Sequence, residues 1–258
     1  AASRAIMDLG GRQGLIRPSG TASHPLEFAS VLSMTFPLAV MYIKSLGKIR
    51  IPQLLVLACF FTGILLSLSR TAILCLVIGL AVIMPSLPKA WRIVGGIGAI
   101  ATTGVLYLTV PGLVGTLRGL FLGLSSDPSV QSRTDAYGLV AEFFARSPFL
   151  GRGLGTFLPK YWIIDNMYLQ ILIELGIFGL LSLLSVFVSA ILCAWLARRH
   201  SLTVRDKDLA TGVAAGVAAG ATSLAFFDVF AFPQSAFVLF LLAGMAGGYW
   251  RLVRKEQI

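Results

Sequence analysis

Seven long apolar runs are separated by short polar stretches: 26–43, 52–68, 72–84, 93–110, 167–196, 209–227 and 232–249. Each is continuous in Leu, Ile, Val, Ala and Phe rather than alternating, so each predicts a helix, and most reach bilayer length. The polar stretches between them are brief except one, 111–165. The run 167–196 is long enough to cross with tilt or to project beyond the bilayer. The run 209–227 is rich in Ala and Gly, which permits close helix contact. Residues 1–25 carry Pro18, several glycines and R-P-S-G-T, and predict a loop that turns tightly into the first helix.

Composition agrees with this pattern. The chain is 57% hydrophobic and 12% charged, with a mean hydropathy of +0.86. That predicts an all-α integral membrane protein with about seven transmembrane helices and a short helical loop domain on the outer face. A single membrane domain spans 1–258, with the outer loop 111–166 inserted between the fourth and fifth spans.

The net charge of +10 would raise nucleic acid as a partner in a soluble chain. Here Lys44, Lys48, Arg50, Lys89, Arg92, Arg198, Arg199, Arg205, Lys207, Arg251, Arg254 and Lys255 all fall in one alternating set of short loops. The positive-inside rule puts that set in the cytoplasm and explains the basic excess without nucleic acid. Residues 1–25, Arg70, the segment 111–165 and Asp228 then share the outer side. The cysteines, Cys59, Cys75 and Cys193, lie within apolar runs and lack zinc-ligand spacing.

The outer set holds nine basic residues, of which Lys160 alone is Lys. Guanidinium is planar, permanently charged and forked, which suits bidentate contact with phosphate or carboxylate. The plainer reading pairs these arginines with the outer acids Asp8, Asp127, Asp135 and Glu142 or with lipid headgroups.

Most polar chemistry gathers in 132–179. It reads S-R-T-D-A-Y, then S-P-F-L-G-R-G-L-G-T-F, then D-N-M-Y-L-Q-I-L-I-E-L-G-I-F-G. Asp165 and Asn166 precede an apolar run, as helix N-caps do. Gly151, Gly153 and Gly155 do not follow a strand and predict a turn rather than a phosphate loop. Residues 137–146 predict a short interfacial helix. Glu174 lies two turns into its helix and must face the protein interior, where pairing with an outer Arg is expected. His24, before Pro25 at a membrane mouth, is read as structural.

These motifs, taken with R-P-S-G-T-A-S-H-P and L-S-R-T-A and in this order, resemble the O-antigen ligase/polymerase superfamily. Its members are multi-pass bacterial glycosyltransferases of the GT-C type, and the chain resembles the C-terminal two-thirds of one. The resemblance implies work at the outer face of the bacterial plasma (inner) membrane. The donor would be a glycan on a polyprenyl pyrophosphate, and the acceptor a hydroxyl of a glycan or of a lipid-linked glycan, with membrane lipid around both. Ligases of the group often carry His, then Asn, Ser or Gln, nine residues and Gly. Asp165, Asn166 and Gly176 keep that spacing with Asp in the place of His, which leans towards a polymerase or another polysaccharide transferase.

Such a transfer needs a leaving pyrophosphate to be stabilised, for which Arg17, Arg70, Arg133 and Arg152 are the expected ligands, Arg133 with a catalytic share. It needs a base for the hydroxyl, for which Asp165 is expected. Asn166, Glu174 and His24 are expected to support them. No cofactor or metal is demanded where guanidinium carries the charge. The rival reading is a transporter or flippase for an anionic lipid-linked glycan. It would carry repeat symmetry and mid-membrane charge; the sequence shows no internal repeat and its charges cluster outside.

Overall fold

The computed structural model describes residues 11–12, 15–122, 128–158 and 162–255, without the side chains of 11–16, 114, 120–122 and 128–135. Every predicted apolar run falls on a helix. In chain order these are α1 (Pro25–Ser45), α2 (Ile51–Leu66), α3 (Arg70–Ile83) and α4 (Lys89–Thr109). After the long connection come α7 (Met167–His200), α8 (Val204–Ser223) and α9 (Pro233–Lys255). The connection itself holds α5 (Leu113–Leu122) and α6 (Pro128–Arg146), so residues 137–146 are the second half of a longer helix. The N-terminal segment is not wholly irregular: Gly11–Arg12 (β1) and Leu15–Ile16 (β2) pair in a two-residue antiparallel ladder.

Four helices, α1, α4, α7 and α9, are long and apolar enough to cross a membrane by length and composition, and α2 and α3 are shorter apolar helices. The chain is therefore a multi-pass helical membrane protein. The expected count of about seven spans is not matched one for one. At 16 and 14 residues, α2 and α3 are shorter than a full bilayer crossing. The first turns of α8 are charged (Arg205, Asp206, Lys207, Asp208), and its remainder is a core element.

Helix α8 is the centre. It buries Ala210, Val213, Ala215, Val217 and Ala219, and packs against α1, α3, α7 and α9. Its small residues let backbones approach closely. A Cβ on Gly216 would lie 2.7 Å from the Met34 carbonyl oxygen, and one on Gly212 would lie 2.9 Å from the Leu38 Cα. In lipid, where apolar surface gains little by leaving hydrocarbon, this close van der Waals packing is what holds helices together. By contrast α4 lies at the rim, with Ile93, Ile97, Ile100 and Leu108 exposed.

Polar contacts fasten the bundle at both ends and fix which helix ends lie together. At one end, the buried Glu27 carboxylate accepts from the Ser23 N–H and hydroxyl and from the Gln234 N–H in the first turn of α9. There too the Met167 N–H donates to the Leu224 carbonyl, tying the start of α7 to the end of α8. At the other end, Lys44 of α1 pairs with Asp208 of α8 at 2.5 Å, their side chains 12% and 6% exposed. Tyr249 of α9 donates to Asp206 beside them. Helices α1, α7 and α9 therefore start at the same end of the bundle, and α8 runs the opposite way.

A nearly dry ion pair is costly to break on one side, because the remaining charge stays buried. Asp208→Asn should lower the stability of the full chain in detergent by about 3–5 kcal/mol, read as a fall in thermal unfolding midpoint. A Lys44→Met, Asp208→Leu double variant should recover most of it. Equal midpoints for Asp208→Asn and the parent would show the pair to be solvated.

Candidate active site

The motif S-P-F-L-G-R-G-L-G-T-F, ending at Phe157, and the motif E-L-G, starting at Glu174, form one structure. Helix α7 is broken at Gly176, whose φ of 62° and ψ of −161° belong to no helix. This corrects the expectation of an uninterrupted run over 167–196. The break frees main-chain groups on either side, and the loop after α6 satisfies them. The Arg152 N–H donates to the Ile173 carbonyl and the Gly153 N–H to the Glu174 carbonyl, while the Ile177 N–H donates to the Pro148 carbonyl. Two glycines make the approach possible. A Cβ on Gly151 would lie 2.3 Å from the Glu174 carbonyl carbon, and one on Gly176 would lie 2.4 Å from the Phe149 carbonyl group. Both have positive φ. The required Gly176 in the spacing after Asn166 thus has a physical reason.

Glu174 completes the junction. It is 2% exposed, and its carboxylate accepts the Gly155 N–H at 2.9 Å and the Phe157 N–H at 3.3 Å. It faces the interior as expected, but its partners here are backbone N–H groups and not the expected outer Arg. Its role is to hold the loop 151–157 against the broken helix. The loop forms turns, as its glycines predicted.

The start of α7 separates two residues that the sequence left undivided. Asn166 is the N-cap, its side-chain oxygen accepting from the Tyr168 and Leu169 N–H groups. Asp165 stands one place earlier, half-buried, and is not the cap. Its negative charge is felt at Asp228, in the turn between α8 and α9. Burial pushes the Asp228 carboxyl up from its ordinary value, the charges of Glu174 and Asp165 add to that, and hydrogen bonds from the Ala231 and Phe230 N–H groups oppose it. The charges of Glu174 and Asp165, from the loop-bound part of α7 and the residue before its cap, thus reach Asp228 in a separate segment. Asp228 was assigned no functional role from sequence. The available signal was a lone acid in the apolar stretch L-A-F-F-D-V-F-A-F.

Across Phe232 lies the N-terminal side of the site. The His24 ring sits 5.7 Å from the Phe232 ring, and its Nδ1 accepts the Leu26 N–H as the N-cap of α1. Burial and the Arg17 charge hold the His24 pKa below its ordinary value, against Glu27. The His24 ring thus caps α1 through Nδ1. Arg17 donates from Nε to the Ser67 carbonyl at 2.5 Å, in the turn between α2 and α3 where Leu68 takes a φ of 50°. Arg70 follows as the first residue of α3, after its N-cap Ser69. Arg17 and Arg70 are thus brought to the same turn. Arg152 lies on the loop, its guanidinium carbon 4.7 Å from the Phe143 ring centroid. Arg133 belongs to α6, but its side chain lies outside the described residues, as does Lys160. Of the outer arginines and acids, Arg146 pairs with Glu142 one helical turn away.

The fold and this mouth define a class: a multi-pass helical membrane protein whose ionisable groups gather where several helix ends meet an irregular loop. Within that class the chain belongs to the O-antigen ligase family, whose model matches residues 55–184, half of the 258-residue sequence. The matched part runs from α2 into α7 and includes Arg70, Arg133, Arg152, Asp165, Asn166, Glu174 and Gly176; Arg17, His24 and Asp228 lie outside it. No curated protein matches the chain.

The junction makes a sharp prediction. Gly176→Ala forces an L residue into a backbone region that is nearly exclusive to Gly and meets the Phe149 carbonyl. Gly155 also has positive φ but nothing within 4 Å of its Cβ position, and Asn tolerates positive φ. Limited proteolysis of the full chain should therefore cut the loop 151–157 far faster in Gly176→Ala than in Gly155→Asn. Glu174→Gln, which turns an N–H donor towards backbone donors, should expose it as well, at a cost of about 1–3 kcal/mol. Equal protection of Gly176→Ala and the parent would dissolve the junction.

Proposed function

We propose that the protein is a membrane glycosyltransferase acting on polyprenyl-pyrophosphate-linked glycans at the outer face of the bacterial plasma membrane. The observation that carries this reading is the mouth itself. There Asp165, at the position where related ligases carry His, and Glu174 both act electrostatically on Asp228, while Arg17 and Arg70 meet at the α2–α3 turn.

The acceptor hydroxyl attacks the anomeric carbon of the donor glycan, and its proton passes to the Asp165 carboxylate. The bond from the anomeric carbon to the pyrophosphate oxygen breaks, and the electron pair leaves with the pyrophosphate. Guanidinium groups of Arg17 and Arg70, with Arg133 from α6, stabilise that charge. Asn166 supports the base by fixing the first turn of α7, and Glu174 by fixing the loop above it. No step in this scheme calls on a metal or cofactor.

Asp228 adds a carboxyl beside these residues, and burial together with the charges of Glu174 and Asp165 pushes it up from its ordinary value. Asp in the place that ligases give to His supports a polymerase over a ligase. For a transporter of the same substrate, charge at the membrane midplane would be expected. The buried ionisable groups lie towards the ends instead: Glu27 and Glu174 towards the mouth, Lys44 and Asp208 at the far end.

Because Asn166 holds the cap, Asp165→Asn should leave helix α7 intact, yet it removes the base. Glycan laddering in cells lacking the native enzyme, at matched expression, should fall by roughly 10²–10⁴, the usual contribution of general acid–base catalysis. A full ladder would remove Asp165 from the chemistry.

Orientation is tested separately. In a cysteine-free full-length chain, Leu154→Cys on the exposed loop should react with an impermeant maleimide in intact cells, and Leu202→Cys at the far end should not. Labelling of Leu202→Cys alone would invert the topology and place the mouth in the cytoplasm.

A further inference from the structure

Beside the mouth, α6 and the loop enclose a cleft of about 500 Å³ lined by Leu139, Phe143, Arg152, Thr156, Phe157 and Trp162. That volume lies within the range of small-molecule sites. Its walls are aromatic. Phe143 and Phe157 meet edge to face with centroids 5.5 Å apart, and Trp162 is 43% exposed. Polar groups are few and placed. The Arg152 guanidinium lies over the Phe143 ring, which holds its plane and leaves N–H donors along its edge. The Thr156 hydroxyl donates to the Gly153 carbonyl, which leaves its lone pairs to accept.

We infer that this cleft is a glycan subsite, in which a sugar ring of the lipid-linked substrate stacks on Trp162 and Phe143 while its hydroxyls meet Arg152 and Thr156. The inference deepens the glycosyltransferase reading and rests on it for the identity of the substrate. It moves Arg152 from the expected phosphate ligands to the sugar.

Three observations favour a sugar over the other parts of the substrate. A pyranose has an apolar C–H face, weakly positive, that suits the negative face of an aromatic ring, and an edge of hydroxyls that suits a few fixed polar groups. A pyrophosphate calls for several donors converging on it. Here the N–H groups of Arg152, Gly153, Gly155, Thr156 and Phe157 are already bonded to carbonyls or to the Glu174 carboxylate. A polyprenyl chain has no use for a guanidinium and a hydroxyl. Position agrees as well. Trp162 precedes Asp165 by three residues, and the cleft's Phe157 is held by Glu174, so a sugar seated here lies next to the mouth.

The test is calorimetric titration of the full-length protein in nanodiscs. One probe is a repeat-unit oligosaccharide released from the host's own surface polysaccharide, free of lipid and phosphate. The other is farnesyl pyrophosphate, which lacks sugar. Trp162→Ala and Arg152→Gln should each raise the oligosaccharide Kd about ten-fold, with Trp162→Phe recovering most of it, while farnesyl pyrophosphate affinity stays within about twofold. Trp162 is exposed, so its removal leaves the fold in place. Oligosaccharide binding that is absent, or unchanged in both variants, overturns the subsite. So does a loss of farnesyl pyrophosphate binding in Arg152→Gln, which would return that residue to the phosphate. Binding is read without turnover. Oligosaccharide affinity that depends on Trp162 in a protein that transfers no glycan upholds the subsite and removes the enzyme.

Discussion

One carboxylate holds the working end of this protein together. Glu174 is buried two turns inside α7, where an ionised group is expensive unless its lone pairs are taken up. The Gly155 and Phe157 N–H groups take them up, and in doing so they fasten an irregular loop to a helix that breaks two residues later. Neither half is stable alone. The break at Gly176 leaves carbonyls without helical partners, and the loop leaves N–H groups without a ladder. Together they satisfy each other, as buried main-chain groups must.

The rest of the bundle positions that junction. Helix α7 is anchored at its first residue by the Leu224 carbonyl and through the Tyr168 hydroxyl on the Ala221 carbonyl, both at the end of α8. Helix α8 is in turn held by close contact with α1 and by the Lys44–Asp208 pair at the far end. Glu27 binds the starts of α1 and α9. A displacement at any of these anchors would carry into the mouth, because packed helices shift as rigid bodies rather than deform.

What the sequence disclosed, and what it did not, follows from the range of the interactions. The apolar runs are local, so the helices were legible. The Asn166 cap was half legible: the D-N pair announced a helix start but not which residue caps it, since that depends on one residue's backbone angle. The lengths of α2 and α3 as folded, and the burial of α8 among α1, α3, α7 and α9, depend on their neighbours. The least legible features were long-range. Glu27 reaching Gln234 and Asp228 lying near Asp165 join positions far apart in the chain, and no spacing rule records them. Even so, G-R-G-L-G and E-L-G each carried glycines that no regular helix or strand would favour. In retrospect they are the two faces of one contact.

The same junction bears on which cations suit this mouth. Glycine-rich loops usually bind anions with their own N–H groups, gathered in a concave nest or at a helix N-terminus. Here the N–H groups of Arg152, Gly153, Gly155 and Phe157 are committed to α7 and those of Gly151 and Thr156 to the Ser147 and Gly153 carbonyls, and the N-terminus of α7 is capped by Asn166 with Asp165 before it. Backbone recognition of an anion is thereby closed off at the loop and at the helix start. Any anion accepted at this mouth must be met by side chains. At a water-facing site beside carboxylates, those side chains must stay charged and present several donors in a fixed plane, which guanidinium does and ammonium does less well. The junction that gives the loop its shape thus favours guanidinium for the cations set around it, Arg17, Arg70 and Arg152.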